Sequence, residues 1–160
     1  MDTLQAGIEK SELIFSMKSV VLTTMDEFGN PYASYAPFGV YQGDYYLIVS
    51  NSARHTMHLR ALNKAGLLWL EDETKAQSVF FRKRFYLETE VTLDVLDQGV
   101  IDMMKSRFKD TFTTLMLMDF TIIKCVGKNG QLILGPGLAF DQIGKELFPA
   151  KIGGHRSTKA

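Results

Sequence analysis

Residues 81–95 read FRKRFYLETEVTLDV, and their alternation decides the fold class. Phe85, Leu87, Thr89, Val91 and Leu93 stand against Tyr86, Glu88, Glu90, Thr92 and Asp94. Successive strand side chains point to opposite faces, so a period of two predicts a strand with one face in a core and one in water. A helix would instead repeat its apolar positions every three or four residues.

Working outward, the neighbouring segments have the same character. Ala65–Glu71 (AGLLWLE) predicts a strand on the N-terminal side. Further upstream, Ser19–Met25 (SVVLTTM), Pro31–Val40 and Tyr45–Ser50 (YYLIVS) are β-branched and apolar, separated by turn chemistry at Asp26–Asn30 and Gln42–Gly43. Connections this short favour antiparallel pairs, because a parallel crossover takes a dozen or more residues. Downstream, Asp119–Val126 and Gln131–Leu134 predict two last strands, joined at Lys128-Asn129-Gly130. The Asn-Gly pair there suits a type I′ hairpin turn. Helices are expected over Asp2–Met17, over Ala53–Leu62 with Ser52 as its N-cap, around Val100, Met104 and Phe108, and over Phe112–Met118. Six or seven antiparallel strands with helices between them predict a β-rich α+β fold, its sheet closed into a small barrel that leaves no exposed edge.

The 160 residues suit one domain, residues 1–160, with an N-terminal helix over 1–18 and a flexible tail over 151–160. Eighteen basic and eighteen acidic side chains cancel, which argues against nucleic acid or an anionic membrane as partner. No apolar run approaches the roughly 18 residues of a membrane-spanning helix. The N-terminus lacks a basic region followed by an apolar block, so a cytoplasmic protein is expected. A single cysteine, Cys125, excludes an intrachain disulfide, and its apolar strand suggests a buried structural thiol.

The residues able to carry chemistry are few. His55 and His58, three apart on the short helix, share a face, but a metal needs further ligands and that helix has no acidic residue. Arg82-Lys83-Arg84 reads either as a solvated rim or as a clamp on phosphate or carboxylate, with Arg54 joining it from a helix start that itself attracts anions. With no net charge, such an anion is small. His155 stands in a glycine-rich tail, Gly153-Gly154-His155-Arg156, as a flexible terminal residue or as an imidazole able to fold over a haem.

Several short motifs then fall in one order: Asn30-Pro31-Tyr32-Ala33-Ser34-Tyr35-Ala36-Pro37-Phe38, Ser52-Ala53-Arg54-His55, Glu71-Asp72-Glu73, Phe81-Arg82-Lys83-Arg84, Asp119-Phe120, Gly137-Leu138-Ala139-Phe140 and Gly154-His155-Arg156. From about Val20 to the tail the chain resembles haem-utilisation proteins of the HutZ/HugZ type, within the FMN-binding split-barrel superfamily of pyridoxamine phosphate oxidase. The resemblance implies a split β-barrel, a homodimer with cofactor sites between subunits, and oxidative haem breakdown driven by an external reductant. It assigns His155 as the haem ligand, Asp119 as the carboxylate supporting it, and Arg82 and Arg84 to the haem propionates. It also leaves room for FMN, whose phosphate would meet Ser50, Ser52, Arg54 and His55, with Lys83 or Arg84 contributing. A haem carrier without turnover is the third alternative.

Overall fold

The computed structural model describes residues 1–150. Eight strands form one antiparallel sheet: β1 (Ser19–Met25), β2 (Pro31–Tyr41), β3 (Asp44–Ser50), β4 (Lys64–Leu70), β5 (Arg84–Thr92), β6 (Phe120–Gly135), β7 (Leu138–Ile143) and β8 (Glu146–Pro149). Their order is β3-β2-β1-β4-β5-β6-β7-β8, and an additional β3–β6 pairing closes the first six into a barrel. That pairing runs from Tyr45 opposite Cys125 to Ser50 opposite Phe120. The last two strands extend β6 beyond the closed part. Four helices accompany the sheet: α1 (Thr3–Phe15), α2 (Arg54–Ala61), α3 (Gln98–Phe108) and α4 (Asp110–Leu117).

The expected alternation is present in β5. Phe85, Leu87, Thr89 and Val91 are buried, while Arg84, Tyr86, Glu88, Glu90 and Thr92 face outward. Thr89 tolerates the interior because its hydroxyl donates to the Ala65 carbonyl at 2.9 Å, which removes the cost of an unpaired buried polar group. The continuous run in β3 has a different cause. Tyr45, Leu47 and Val49 belong to the barrel core, whereas Tyr46 and Ile48 pack outside it against Val100 and Met104 of α3 and Phe112 of α4. A strand covered on both faces needs apolar residues at every position.

Trp69 sits at the centre of the barrel, fully buried. Phe38 meets it edge-on at 5.5 Å between centroids, Phe85 stacks at 5.6 Å and Tyr45 leans on it at 4.8 Å. Offset and edge-to-face arrangements of this kind match the ring quadrupoles. On the N-terminal side, Ala6, Leu13 and Ile14 of α1 join the same core. Asp2 starts that helix, its carboxylate accepting the Gln5 amide at 2.8 Å. Cys125 lies fully buried inside the barrel, where burial pushes its thiol up to about 12, so it is the inert structural cysteine expected.

The chain departs from expectation at its C-terminal end. Asp119–Val126 and Gln131–Leu134 are not two hairpin strands but parts of one sixteen-residue strand, β6. Leu87 faces Gly130 and Thr89 faces Gly127, so Lys128 and Asn129 together oppose Glu88 alone. The extra residue makes a β-bulge, and the Asn-Gly pair belongs to it rather than to a turn. Gly130 is required by crowding: a Cβ there would run into the Tyr86 carbonyl oxygen and lie 3.2 Å from the Leu87 Cα. Beyond it, β7 and β8 form where no strand was expected, joined to β6 by a turn in which Gly137 has φ +70°. The fifth strand is also shorter than the alternation suggested, since a single 3-10 turn at Val79–Phe81 precedes Arg84.

The bulge yields a stability prediction. Gly130→Ala must displace the β5 backbone and is expected to cost about 1–3 kcal/mol, the usual range for overpacking. Urea unfolding measures it, with Gly29→Ala as comparison: Gly29 has φ +84° but open space around its Cβ position.

Candidate cofactor site

The site is built where the end of β3 turns into α2. Ser50 is the last residue of β3, and its carbonyl accepts the Thr56 hydroxyl at 2.6 Å, tying the first turn of α2 to the strand end. Ser52 does not cap α2 as expected. Ala53 occupies the cap position with no side-chain bond, while the Ser52 and Ser50 hydroxyls lie 3.0 Å apart. The Ser52 amide donates to the Ser50 hydroxyl at 3.2 Å, so this tight turn draws the two hydroxyls together instead of directing one at the helix amides.

Arg54 and His55 open α2. The Arg54 guanidinium lies over the Tyr32 ring at 5.5 Å, and Tyr32 in turn meets His58 edge-on at 5.4 Å. His55 Nδ1 lies 2.8 Å from the Ser34 hydroxyl, and His58 Nδ1 lies 2.8 Å from the Thr24 hydroxyl. The two histidines therefore engage different strands, β2 and β1. Among the described residues no group of three or more His, Cys, Asp or Glu could hold a metal.

The Ser34 hydroxyl lies 3.3 Å from the Leu22 carbonyl and 2.8 Å from His55 Nδ1, and its one hydrogen serves one contact or the other, so its direction and the His55 tautomer are coupled. His55 Nε2 is buried without a protein partner among the described residues. Burial first, and the charge of His58 second, hold the His55 pKa below the ordinary value.

Asp119 stands just before β6, beside this turn. Its carbonyl accepts the Asn51 amide at 2.9 Å, and its Oδ1 accepts the Asn51 side-chain amide at 3.0 Å. Arg60 of α2 donates to Asn51 Oδ1 at 2.7 Å and forks onto both Asp94 oxygens at 3.0 and 3.1 Å. Thr121 completes the cluster with a 3.0 Å bond to Asp94. Asn51, Arg60, Asp94 and Thr121 were not singled out from sequence. Arg60 and Asp94 lie 34 positions apart, and nothing local marks them as a pair.

The basic run has a different set of partners. Arg82 Nε and Nη2 donate to the Glu71 carbonyl at 3.0 and 2.7 Å, and its Nη1 lies 3.8 Å from Glu73. The Lys83 amide donates to the Glu71 carboxylate, while its ammonium pairs with Glu9 of α1 at 3.1 Å. Arg84 is exposed and aligned with Leu70 of β4. Ser34, by contrast, aligns with Leu22 and through it with Leu67. The structure thus brings together Ser50, Ser52 and, through Asn51, Asp119. It places Arg54 and His55 on the adjoining helix turn, and sets Arg82, Lys83 and Arg84 apart. His155 lies outside the described residues.

The donor set at the α2 start is suited to a small anion. Two hydroxyls, a guanidinium that among the described residues meets an aromatic face and no carboxylate, and a helix N-terminus all favour negative charge. The same chemistry serves the phosphate of FMN or a haem propionate.

A closed six-stranded antiparallel barrel with helices over its seams defines the class as a split barrel. Comparison with known proteins agrees. A family profile described as pyridoxamine 5'-phosphate oxidase matches residues 8–123. Over 135 residues the chain is 32% identical to haem oxygenase HutZ of Vibrio cholerae, covering 81% of this chain and 77% of that protein. A crystal structure of Vibrio cholerae HutZ, described there as a haem storage protein, superposes with a TM-score of 0.72 at 30% identity, over 80% of this chain and 93% of that one. ChuZ of Campylobacter jejuni gives a TM-score of 0.82 at 26% identity, over 94% of this chain. The chain spans 64% of the length of ChuZ. It belongs to the pyridoxamine 5'-phosphate oxidase family. Among the described residues no helix is long and apolar enough to cross a membrane.

His55 supplies a pH prediction. With its folded pKa lowered, the unfolded chain binds more protons below about pH 6.5, so stability falls as pH drops through that range. NMR titration is expected to place the His55 midpoint below that of an ordinary histidine, and His55→Gln to flatten the acid limb of the stability profile.

Proposed function

We propose that this protein binds haem and degrades it oxidatively, releasing iron, as a cytoplasmic homodimer supplied with electrons by an external donor. The observation that carries the proposal is the 32% identity to haem oxygenase HutZ across most of both chains. When bound, haem supplies the redox-active iron, and the difficult chemistry belongs to it rather than to the protein.

The chain's own residues bind and orient. His155 is the proposed iron ligand and must be neutral to coordinate. Asp119 is proposed to accept the other imidazole N–H, which fixes the tautomer and strengthens donation to the metal. Its Oδ1 is already held by Asn51, leaving Oδ2 for this role. Arg54 and the Ser50–Ser52 pair offer one set of donors to anionic groups, and Arg82 and Arg84, with Lys83 beside them, offer another. No hydrogen bond joins these two sets among the described residues.

FMN binding is the second reading, favoured by the 3.0 Å pairing of Ser50 and Ser52 ahead of Arg54 and His55. A phosphate takes hydroxyl, guanidinium and helix N–H donors together.

The visible spectrum during titration with ferric haem separates the readings. A saturable, sharpened haem band at one equivalent per subunit is expected, and His155→Ala is expected to abolish or reshape it. A yellow preparation with flavin bands and no saturable haem signal would transfer the site to FMN. Aerobic bleaching of bound haem on addition of a reductant then tests turnover, and a stable haem band would indicate storage instead.

A further inference from the structure

A cavity of about 190 Å³ lies between α1, the barrel strands and the β7–β8 turn, and none of its lining residues belongs to the cluster around Ser50 and Asp119. Ile14, Val40, Tyr45, Phe85 and Leu87 form its apolar wall, and Lys10 and Lys145 bring two cations to it. Gly43 and Gly127 line it too. A Cβ at Gly43 would lie 3.0 Å from the Lys145 ammonium, and one at Gly127 3.0 Å from a Leu87 methyl, so both positions keep the space open.

Lys10 is the unusual member. Its ammonium donates to Gln142 Oε1 at 3.0 Å and lies 5.1 Å from the centre of the Phe85 ring. Gln142 is buried, and its Nε2 donates to the Gly144 carbonyl at 3.0 Å, which turns Oε1 toward Lys10. Among the described residues no carboxylate pairs with Lys10. An ammonium has three donors, and one neutral acceptor leaves the others without a protein partner. Burial holds the Lys10 pKa below its ordinary value, as expected of a charge that has lost water and gained no counter-ion. Lys145 differs. It is 65% accessible and lies 4.0 Å from Asp44, so water and a carboxylate already moderate its charge.

A half-buried cation beside an apolar wall recognises a monoanion with a compact apolar body. A cavity of about 150 Å³ is enough for a benzene ring, so the space suits a molecule of benzoate size. A phosphate dianion fits less well, because it would leave the apolar wall uncovered and would meet the Asp44 carboxylate beside Lys145. We propose that this cavity binds a small apolar carboxylate, its anionic end on the Lys10 ammonium and its body against Ile14, Phe85 and Leu87. Gln142 is the positioning residue, because its buried amide holds the ammonium in place.

The test is an NMR titration of the full-length protein with sodium benzoate, following the backbone amides of Gly43, Gly127 and Gly144. Saturable shifts centred on these glycines are expected. Benzamide has the ring without the charge and acetate the charge without the ring, and each is expected to bind at least about tenfold more weakly. Lys10→Met keeps the apolar stem, removes the charge and is expected to weaken benzoate by about the same factor. Lys145→Met is expected to weaken it less. Should Lys10→Met fail to fold, Lys10→Gln carries the same expectation. Bound benzoate is also expected to raise the Lys10 pKa, read from its ε-carbon shift. Shifts that do not saturate, that persist unchanged without the Lys10 charge, or that benzamide reproduces at equal strength overturn the proposal. Acetate or inorganic phosphate binding as tightly as benzoate overturns it as well, since the apolar wall would then contribute nothing.

Discussion

The β3–β6 ladder is the constraint on which the rest of the molecule depends. Six residue pairs, from Tyr45–Cys125 to Ser50–Phe120, turn an open sheet into a ring. Without them β3 would be an exposed edge, and Leu47, Val49 and Ile123 would lose their enclosure. The ladder demands an unusual strand. β6 pairs with β3 through its first half, with β5 along most of its length, and with β7 through its second half. Such a strand must change direction partway, and the bulge at Lys128–Asn129 provides the bend.

Closure also creates the candidate site. Asp119 and Asn51 lie 68 positions apart in the chain and meet because Ser50 is registered with Phe120. The seam of the barrel and the head of α2 are thus one place, where a strand end, a helix start and a carboxylate converge. Strand ends are suited to this use, since the ladder fixes them while their side chains remain open to a ligand. The interior takes no part: it is filled by Trp69 and its aromatic neighbours and presents an inert thiol at Cys125.

Much of this was legible from sequence where one local pattern had one physical cause. The alternation of β5 and the apolar spacing of Val100 and Met104 each reported burial directly. The failures have causes too. Asn129-Gly130 has strong turn propensity, yet Gly130 is needed for close approach to the Tyr86 carbonyl, and a tertiary contact outweighed a local preference. Ser52 had the composition of a cap, but the nearby Ser50 hydroxyl engaged it instead. At the site, Ser50, Ser52, Arg54, His55 and Asp119 were recognisable by residue type and motif order. Asn51, Arg60 and Asp94 were not, because an ion pair across 34 positions leaves no local trace.

The residues alone thus establish which segment alternates, and that a β-rich barrel with peripheral helices results. They also establish the family, through short motifs whose order survives divergence. Only the tertiary structure decided that β6 is one bulged strand, that the Arg82–Arg84 run is tied to Glu71, Glu73 and Glu9 away from α2, and that Asp119 is clasped by Asn51. The physical reason is range. Side-chain periodicity is imposed by neighbouring residues along the backbone, whereas register, bulges and charge partners are imposed by chain segments that meet only when the barrel closes.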